Sequence, residues 1–364
     1  MTTVRRMRAA ARPVRVTYVT PLVVSVALLT FVALAIIGPM FGTPLGAVDD
    51  HEIPVISQQL TEIGYVSTVI ARTTEPGGRF RPLYWVGRVA ETALWNGRTA
   101  GWYFDRLALL LVTLAAGYAL ARLWLSSGYA SLAAALMVAG PQAEAFYMLG
   151  PQESYAVPLT LAGLALVGRR QPVGLVLAVA AAFAKEPFVV SAIVAMAWSW
   201  HLGQRRAAVM AGAVLAIDVA VIGAVLVTNG GDYYHGAIPL VGRYLYPLIL
   251  PVTIGLAWLA SRHRAATVAL VVLVAVGLFG ALDAAARAAT NARTFAAFVD
   301  ELRADSRPLV VVVRDSGHTE TAWALRAYLP DRAIEYRGVT LTGRGVVVPP
   351  CREVDIDGPW TGAC

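Results

Sequence analysis

The chain has 364 residues, of which 57% are hydrophobic and only 15% charged, and its mean hydropathy is +0.61. That balance excludes a soluble domain of this length and fits a polytopic membrane protein. The net charge of +7 could point to nucleic acid, but the placement of the charges argues against a nucleic-acid partner.

Residues 1–17 carry Arg5, Arg6, Arg8, Arg12 and Arg15 and read as a basic cytoplasmic N-terminus. The segment does not read as a cleavable signal, because the apolar run after it is too long and has no small-residue cleavage site. Nine apolar stretches follow, at 18–41, 102–124, 128–149, 154–168, 172–185, 187–202, 207–228, 244–260 and 266–284. A hydrocarbon core of about 30 Å needs about 20 helical residues, so 154–168, 172–185 and 187–202 are short. A short pair dipping in from one face would change the count by two. The expected organisation is a transmembrane domain at 18–284, including a first outer loop at 42–101, and an extracytoplasmic α/β lobe at 285–364.

Charge sets the expected orientation. With nine spans and a cytoplasmic N-terminus, the even connections are cytoplasmic. They contain Arg122, Arg169, Arg170, Arg205, Arg206, Arg262 and Arg264, and no Asp or Glu. All 23 carboxylates fall in odd connections, in the tail or inside spans. One sign of charge per side is the positive-inside pattern, with the N-terminus inside and the C-terminus outside the cytoplasmic membrane.

The first outer loop opens on "AVDDHEIP" (47–54), which groups Asp49, Asp50, His51 and Glu52. Residues 52–71 have the pattern of an amphipathic helix lying on the outer leaflet. "EPGGRFRPLYW" (75–85) then sets Arg79 and Arg81 beside Phe80, Tyr84 and Trp85. Plainer alternatives exist for both groups. The aspartates could cap a helix that starts at 53, and the arginines could snorkel to lipid headgroups.

Further along, ionisable residues recur at outer span ends. The chain's one lysine, Lys185, stands next to Glu186 and Pro187 in "AAFAKEPF", whereas arginine serves at the other basic positions. Arg243 and Tyr244 open "RYLYP", and Glu144 lies in "GPQAEAFYMLGPQESYAVP". Asp218 lies mid-span. Ionisable groups in membrane segments are costly and usually face a polar interior. Most of these converge on the outer interface, the level that suits a substrate with an apolar tail and an anionic head.

The tail alternates "PLVVVV" (308–313), "ETAWALRAYL" (320–329) and "RGVVVP" (344–349), which predicts strand, helix and strand in a lobe too small to be a separate enzyme. Its Cys351 and Cys364 could pair on an oxidising face or remain two thiols. No P-loop, CxxC or HExxH pattern occurs, and no inner loop is long enough for ATP chemistry.

Together these motifs resemble the GT-C glycosyltransferases, the polyprenyl-phosphate-sugar-dependent membrane enzymes that include protein O-mannosyltransferases, oligosaccharyltransferase catalytic subunits and bacterial lipid-A-modifying transferases. The features that carry the resemblance run from the first span to about residue 260. They are Asp49-Asp50 early in the first outer loop, "RFRPLYW", the turn at Pro141–Ala145, Lys185-Glu186 and "RYLYP". The chain is short for the class, and its C-terminal lobe is small.

The resemblance implies an inverting glycosyltransferase. It would move a sugar from a polyprenyl-phosphate donor to an extracytoplasmic glycan, lipid or protein acceptor, in contact with membrane lipids. Asp50 or Asp49 would be the base that takes the acceptor proton. Arg79, Arg81, Lys185 and Arg243 would bind the donor phosphate, where negative charge grows in the transition state. His51, Glu52, Glu144, Glu186 and Tyr244 would support the site. His51 and Glu52 could add a Mg²⁺ or Mn²⁺ site with Asp50, although the rest of the chain offers no clear further ligands. Two other classes stay open: a lipid or small-molecule transporter or flippase, favoured by Asp218 at mid-membrane, and a non-catalytic accessory subunit that presents the lobe.

Overall fold

The structure, a computed structural model, describes residues 19–46, 50, 52–74, 80–228, 246–313, 319–338, 352–355 and 362–363. It is mainly helical. In chain order the helices are α1 (Val19–Ile37), α2 (Glu52–Thr73), α3 (Pro82–Trp95), α4 (Thr99–Ala121), α5 (Ser127–Leu136), α6 (Glu144–Tyr147) and α7 (Glu153–Gly168). They continue with α8 (Val173–Ala184), α9 (Val189–His201), α10 (Arg205–Thr228), α11 (Tyr246–Ala260), α12 (Arg264–Ala304) and α13 (Thr319–Tyr328).

Each of the nine expected apolar stretches contains helix. Among the described residues, four helical segments are long and apolar enough to cross a membrane: Pro21–Met40, Thr99–Ala121, Arg205–Val225 and Arg264–Ala304. Their outward faces carry large apolar side chains such as Phe31, Met210 and Phe279, as a lipid-facing surface requires. The helices at 153–168, 173–184 and 249–260 are apolar but shorter.

Two expectations change in detail. The stretch 128–149 is not one helix. It breaks at Gly140, whose φ of +85° favours glycine, and Pro141 follows. The Gly140 amide freed by the break donates to the Gly277 carbonyl of α12 at 2.8 Å, so the interruption stays satisfied inside the bundle. The expected amphipathic helix at 52–71 does form as α2, but Gly64 (φ 76°, ψ 172°) kinks it.

The core of the bundle is α7, which packs against α4 and α8. The α7–α8 approach depends on two glycines. A Cβ on Gly163 would meet the Gly174 carbonyl at 2.7 Å, and one on Gly174 would meet the Gly163 carbonyl at 2.5 Å. Close backbone approach through small residues is how helices pack where lipid removes the hydrophobic driving force.

The expected boundary at 284/285 falls inside α12, which runs unbroken for 41 residues. At 1.5 Å per residue it is about 60 Å long, roughly twice a hydrocarbon core. Its last turns supply Phe295, Phe298, Val299 and Leu302 to a second, small core with Leu309, Val311, Ala324, Leu325 and Leu329. The strands are β1 (Leu309–Val313), β2 (Ile334–Gly338), β3 (Arg352–Asp355) and β4 (Gly362–Ala363), ordered β2-β1-β3-β4. β1 pairs in parallel with β2 and β3, and β4 is antiparallel to β3. β1 and α13 lie where the sequence places a strand and a helix. The expected strand at 344–349, with Cys351 and Cys364, lies outside the described residues.

Candidate functional site

At one end of the bundle, Asp50 stands just before α2 and is 5% exposed. Its Oδ2 accepts a 2.7 Å hydrogen bond from the Gly46 amide. The carboxylate lines a cavity of about 370 Å³. Glu144, the first residue of α6, lines the same cavity, because the break at Gly140-Pro141 turns the chain there. Tyr103 of α4, Tyr147, and Arg287 and Asn291 of α12 complete its polar wall. Two carboxylates, a guanidinium, an amide and two phenols thus face one space large enough for a sugar ring. Arg287 also pairs with Asp283 one turn earlier on α12.

Among the described residues, the expected site residues Arg81, Lys185 and Glu186 lie in a separate cluster and are not in the lining of this cavity. Arg81 precedes Pro82 at the start of α3. Its Nε lies 3.0 Å from each oxygen of Glu186, and its Nη2 lies 3.0 Å from Oε2. Lys185, 3% exposed, sits at the end of α8 with an extended backbone that ends that helix. Its Nζ lies 3.0 Å from Glu153 Oε1 and donates to Gln152 Oε1 at 2.9 Å. Of the four cations expected to meet a donor phosphate, the two described ones, Arg81 and Lys185, are thus each ion-paired with a carboxylate.

Glu52 also turns aside. Its Oε2 accepts from Tyr84 Oη at 3.0 Å and lies 3.8 Å from Arg88 Nε. Of the expected metal set, Asp50 lines the cavity and Glu52, the first residue of α2, meets Tyr84 and Arg88 of α3. Among the described residues, no three His, Cys, Asp or Glu side chains come together as a metal-holding group. Asp49, His51, Arg79, Arg243 and Tyr244 lie outside the described residues.

Behind the cavity is a network that the sequence reading missed. Arg88 of α3 and Arg106 of α4 are both fully buried. Arg88 donates to the Leu149 carbonyl at 2.8 Å and lies over the Trp102 ring, 4.8 Å from its centroid. Arg106 donates to the same carbonyl at 3.1 Å, to Glu91 Oε2 at 2.8 Å, to Ser154 Oγ at 2.8 Å and to Tyr155 Oη at 3.2 Å. Burial opposes the charge on Arg88, but Tyr84, Glu52, Tyr155 and Asp50 together more than offset it and hold the guanidinium protonated. Leu149 is itself in the cavity wall, so two buried cations fix that wall by its backbone.

Signals for these residues were present but weak. Arg88 and Glu91 are three apart in one helix, and Arg106 stands inside an apolar stretch. Arg287 and Asn291 carried no signal, because the tail was expected to begin at 285.

No protein-family model matches the chain, and no curated protein sequence matches it.

Proposed function

We propose that the chain is a glycosyltransferase of the GT-C kind in the cytoplasmic membrane. It moves a sugar from a polyprenyl-phosphate donor to an extracytoplasmic acceptor, with inversion. The observation that carries this reading is the pair Asp50 and Glu144 on one cavity with Arg287 and Asn291. In the proposed step the acceptor oxygen attacks the anomeric carbon and its proton passes to the Asp50 carboxylate. The bond from that carbon to the phosphate oxygen breaks, and the electron pair leaves with the polyprenyl phosphate. Arg287, which lines the same cavity, would meet that growing charge. Lys185 and Arg81 hold the frame through Glu153 and Glu186.

In this reading the chain crosses the membrane nine times with its N-terminus inside, and the Asp50 end and the lobe lie outside. The arginine-only connections at the opposite end support that orientation. A reporter fused after Arg206 should be active only in the cytoplasm, and one fused after Cys364 only outside it. A C-terminal fusion active in the cytoplasm defeats the orientation.

The direct test adds purified protein to radiolabelled polyprenyl-phosphate hexoses and pentoses and follows loss of sugar from the lipid. Turnover of at least one donor, abolished by Asp50→Asn, is expected. Turnover by well-folded Asp50→Asn at the wild-type rate defeats the proposal.

One observation favours transport as a second reading. Asp218 is buried in α10, and neither carboxylate oxygen has a hydrogen-bond partner among the described residues. Proton or solute flux in reconstituted vesicles, lost in Asp218→Asn and retained in Asp50→Asn, would select it.

A further inference from the structure

The small lobe touches the loop that carries the candidate base. Tyr328, the last residue of α13, donates from its hydroxyl to the Gly46 carbonyl at 3.1 Å, across 282 positions of sequence. The amide of the same Gly46 donates to Asp50 Oδ2 at 2.7 Å. Both peptide groups flanking one glycine are thus committed, one to the lobe and one to the carboxylate. The Tyr328 ring meets the Phe295 ring of α12 edge-on, with centroids 5.8 Å apart, and its carbonyl accepts from Arg303 at 3.2 Å. Arg332, just beyond, donates to the Leu302 and Arg307 carbonyls. The hydroxyl therefore projects from a helix tied to the rigid end of α12, while the group it holds lies in a loop.

We propose that Tyr328 is a positioning residue for Asp50. Through Gly46 it fixes the carboxylate against the cavity, so that the lobe completes the site without touching substrate. The inference rests on Asp50 acting as the base. Burial pushes the Tyr328 phenol up from its ordinary value and the nearby Asp50 charge pushes it further, so it remains a hydrogen-bond donor through neutral pH. Gly46 is not chosen for want of space, since a Cβ there would make only ordinary contacts, 3.4 Å from Asp50 Oδ2 and 3.8 Å from the Ala292 Cβ. The constraint lies in its two hydrogen bonds. A misplacement of about 1 Å at a reacting group can cost about a hundredfold in rate.

The test compares full-length wild type, Tyr328→Phe and Val311→Ala in detergent. Tyr328→Phe keeps the ring packing and loses only the hydroxyl. We expect kcat on the labelled polyprenyl-phosphate sugar to fall roughly tenfold with KM for that donor unchanged. Weakening of the Gly46 bond destabilises the Asp50 carboxylate, so its pKa rises and the base limb of the pH–kcat profile moves to higher pH. Val311→Ala loosens the lobe core without removing the hydroxyl or touching the cavity lining, and should lower the melting temperature while leaving that limb in place. Hydrogen exchange over residues 43–52 should quicken in Tyr328→Phe. Wild-type kcat and pH limb in Tyr328→Phe overturn the proposal. If the wild type turns over no labelled donor, the proposed function fails and exchange alone decides the contact: faster exchange at 43–52 supports it, and unchanged exchange overturns it.

Discussion

The two ends of the bundle use the same residue type in opposite ways. At one end stand Arg122, Arg169, Arg170, Arg205, Arg206, Arg262 and Arg264, all exposed. Among the described residues, none of them pairs with a carboxylate. Their contacts are with backbone and rings: Arg169 donates to the Ala119 carbonyl at 3.3 Å, Arg205 lies over Trp200, and Arg262 lies over Trp258. Gln204 donates to the Arg170 carbonyl at 2.6 Å and Trp124 stacks on Trp198, which gathers three of these connections at one level. At the other end Arg81, Arg88, Arg106 and Lys185 are buried, each against a carboxylate.

The difference shows where free energy has been spent. Exposed cations need no partner, and solvated arginines of this kind add little to stability. Buried ion pairs lose their hydration, and their mutual attraction only about repays that loss. Arg88 and Arg106 are explained better by what they hold, the Leu149 carbonyl in the cavity wall, than by net stabilisation.

Four experiments would break or sharpen this contrast. The largest expected effect is on activity. If the proposed function holds, Asp50→Asn keeps the shape and removes the proposed base, so transfer should fall about 100- to 10,000-fold while the melting temperature hardly changes. An unchanged rate in the folded variant would remove the chemical meaning of that end.

Next comes stability. Arg106→Gln leaves Glu91 buried without its cation and should cost about 3–5 kcal/mol, read by thermal or denaturant unfolding in detergent. A cost below about 1 kcal/mol would place Arg106 with the exposed arginines.

A smaller effect is expected when both members of a buried pair go. Lys185→Met alone should destabilise by several kcal/mol, and adding Glu153→Met should recover most of the loss, since an apolar pair can replace a buried ion pair at about no cost. Additive losses in this double-mutant cycle would show that the two residues do not act together.

The smallest effect belongs to the arginine end. Arg169→Gln should change stability by no more than about 0.5 kcal/mol. A loss as large as that of Arg106→Gln would erase the distinction between the ends.

The sequence by itself determined the helical, apolar class, the nine apolar stretches, and the strand and helix at 308–313 and 320–329. These follow from local composition and periodicity, which the chain carries in every window. It also marked Asp50 and Glu144 as unusual, because a carboxylate beside an apolar run is costly wherever the chain goes. Only the tertiary structure decided which charges share a space. That α7 brings Glu153 to Lys185 and the α8–α9 turn brings Glu186 to Arg81 was not legible in the sequence. Arg287 and Asn291 became cavity residues because α12 continues as one rigid helix through the expected boundary. Tyr328 reaches Gly46 across almost the whole chain. Pairing depends on helix packing between distant segments, and a hydropathy pattern reports only how each segment meets its solvent.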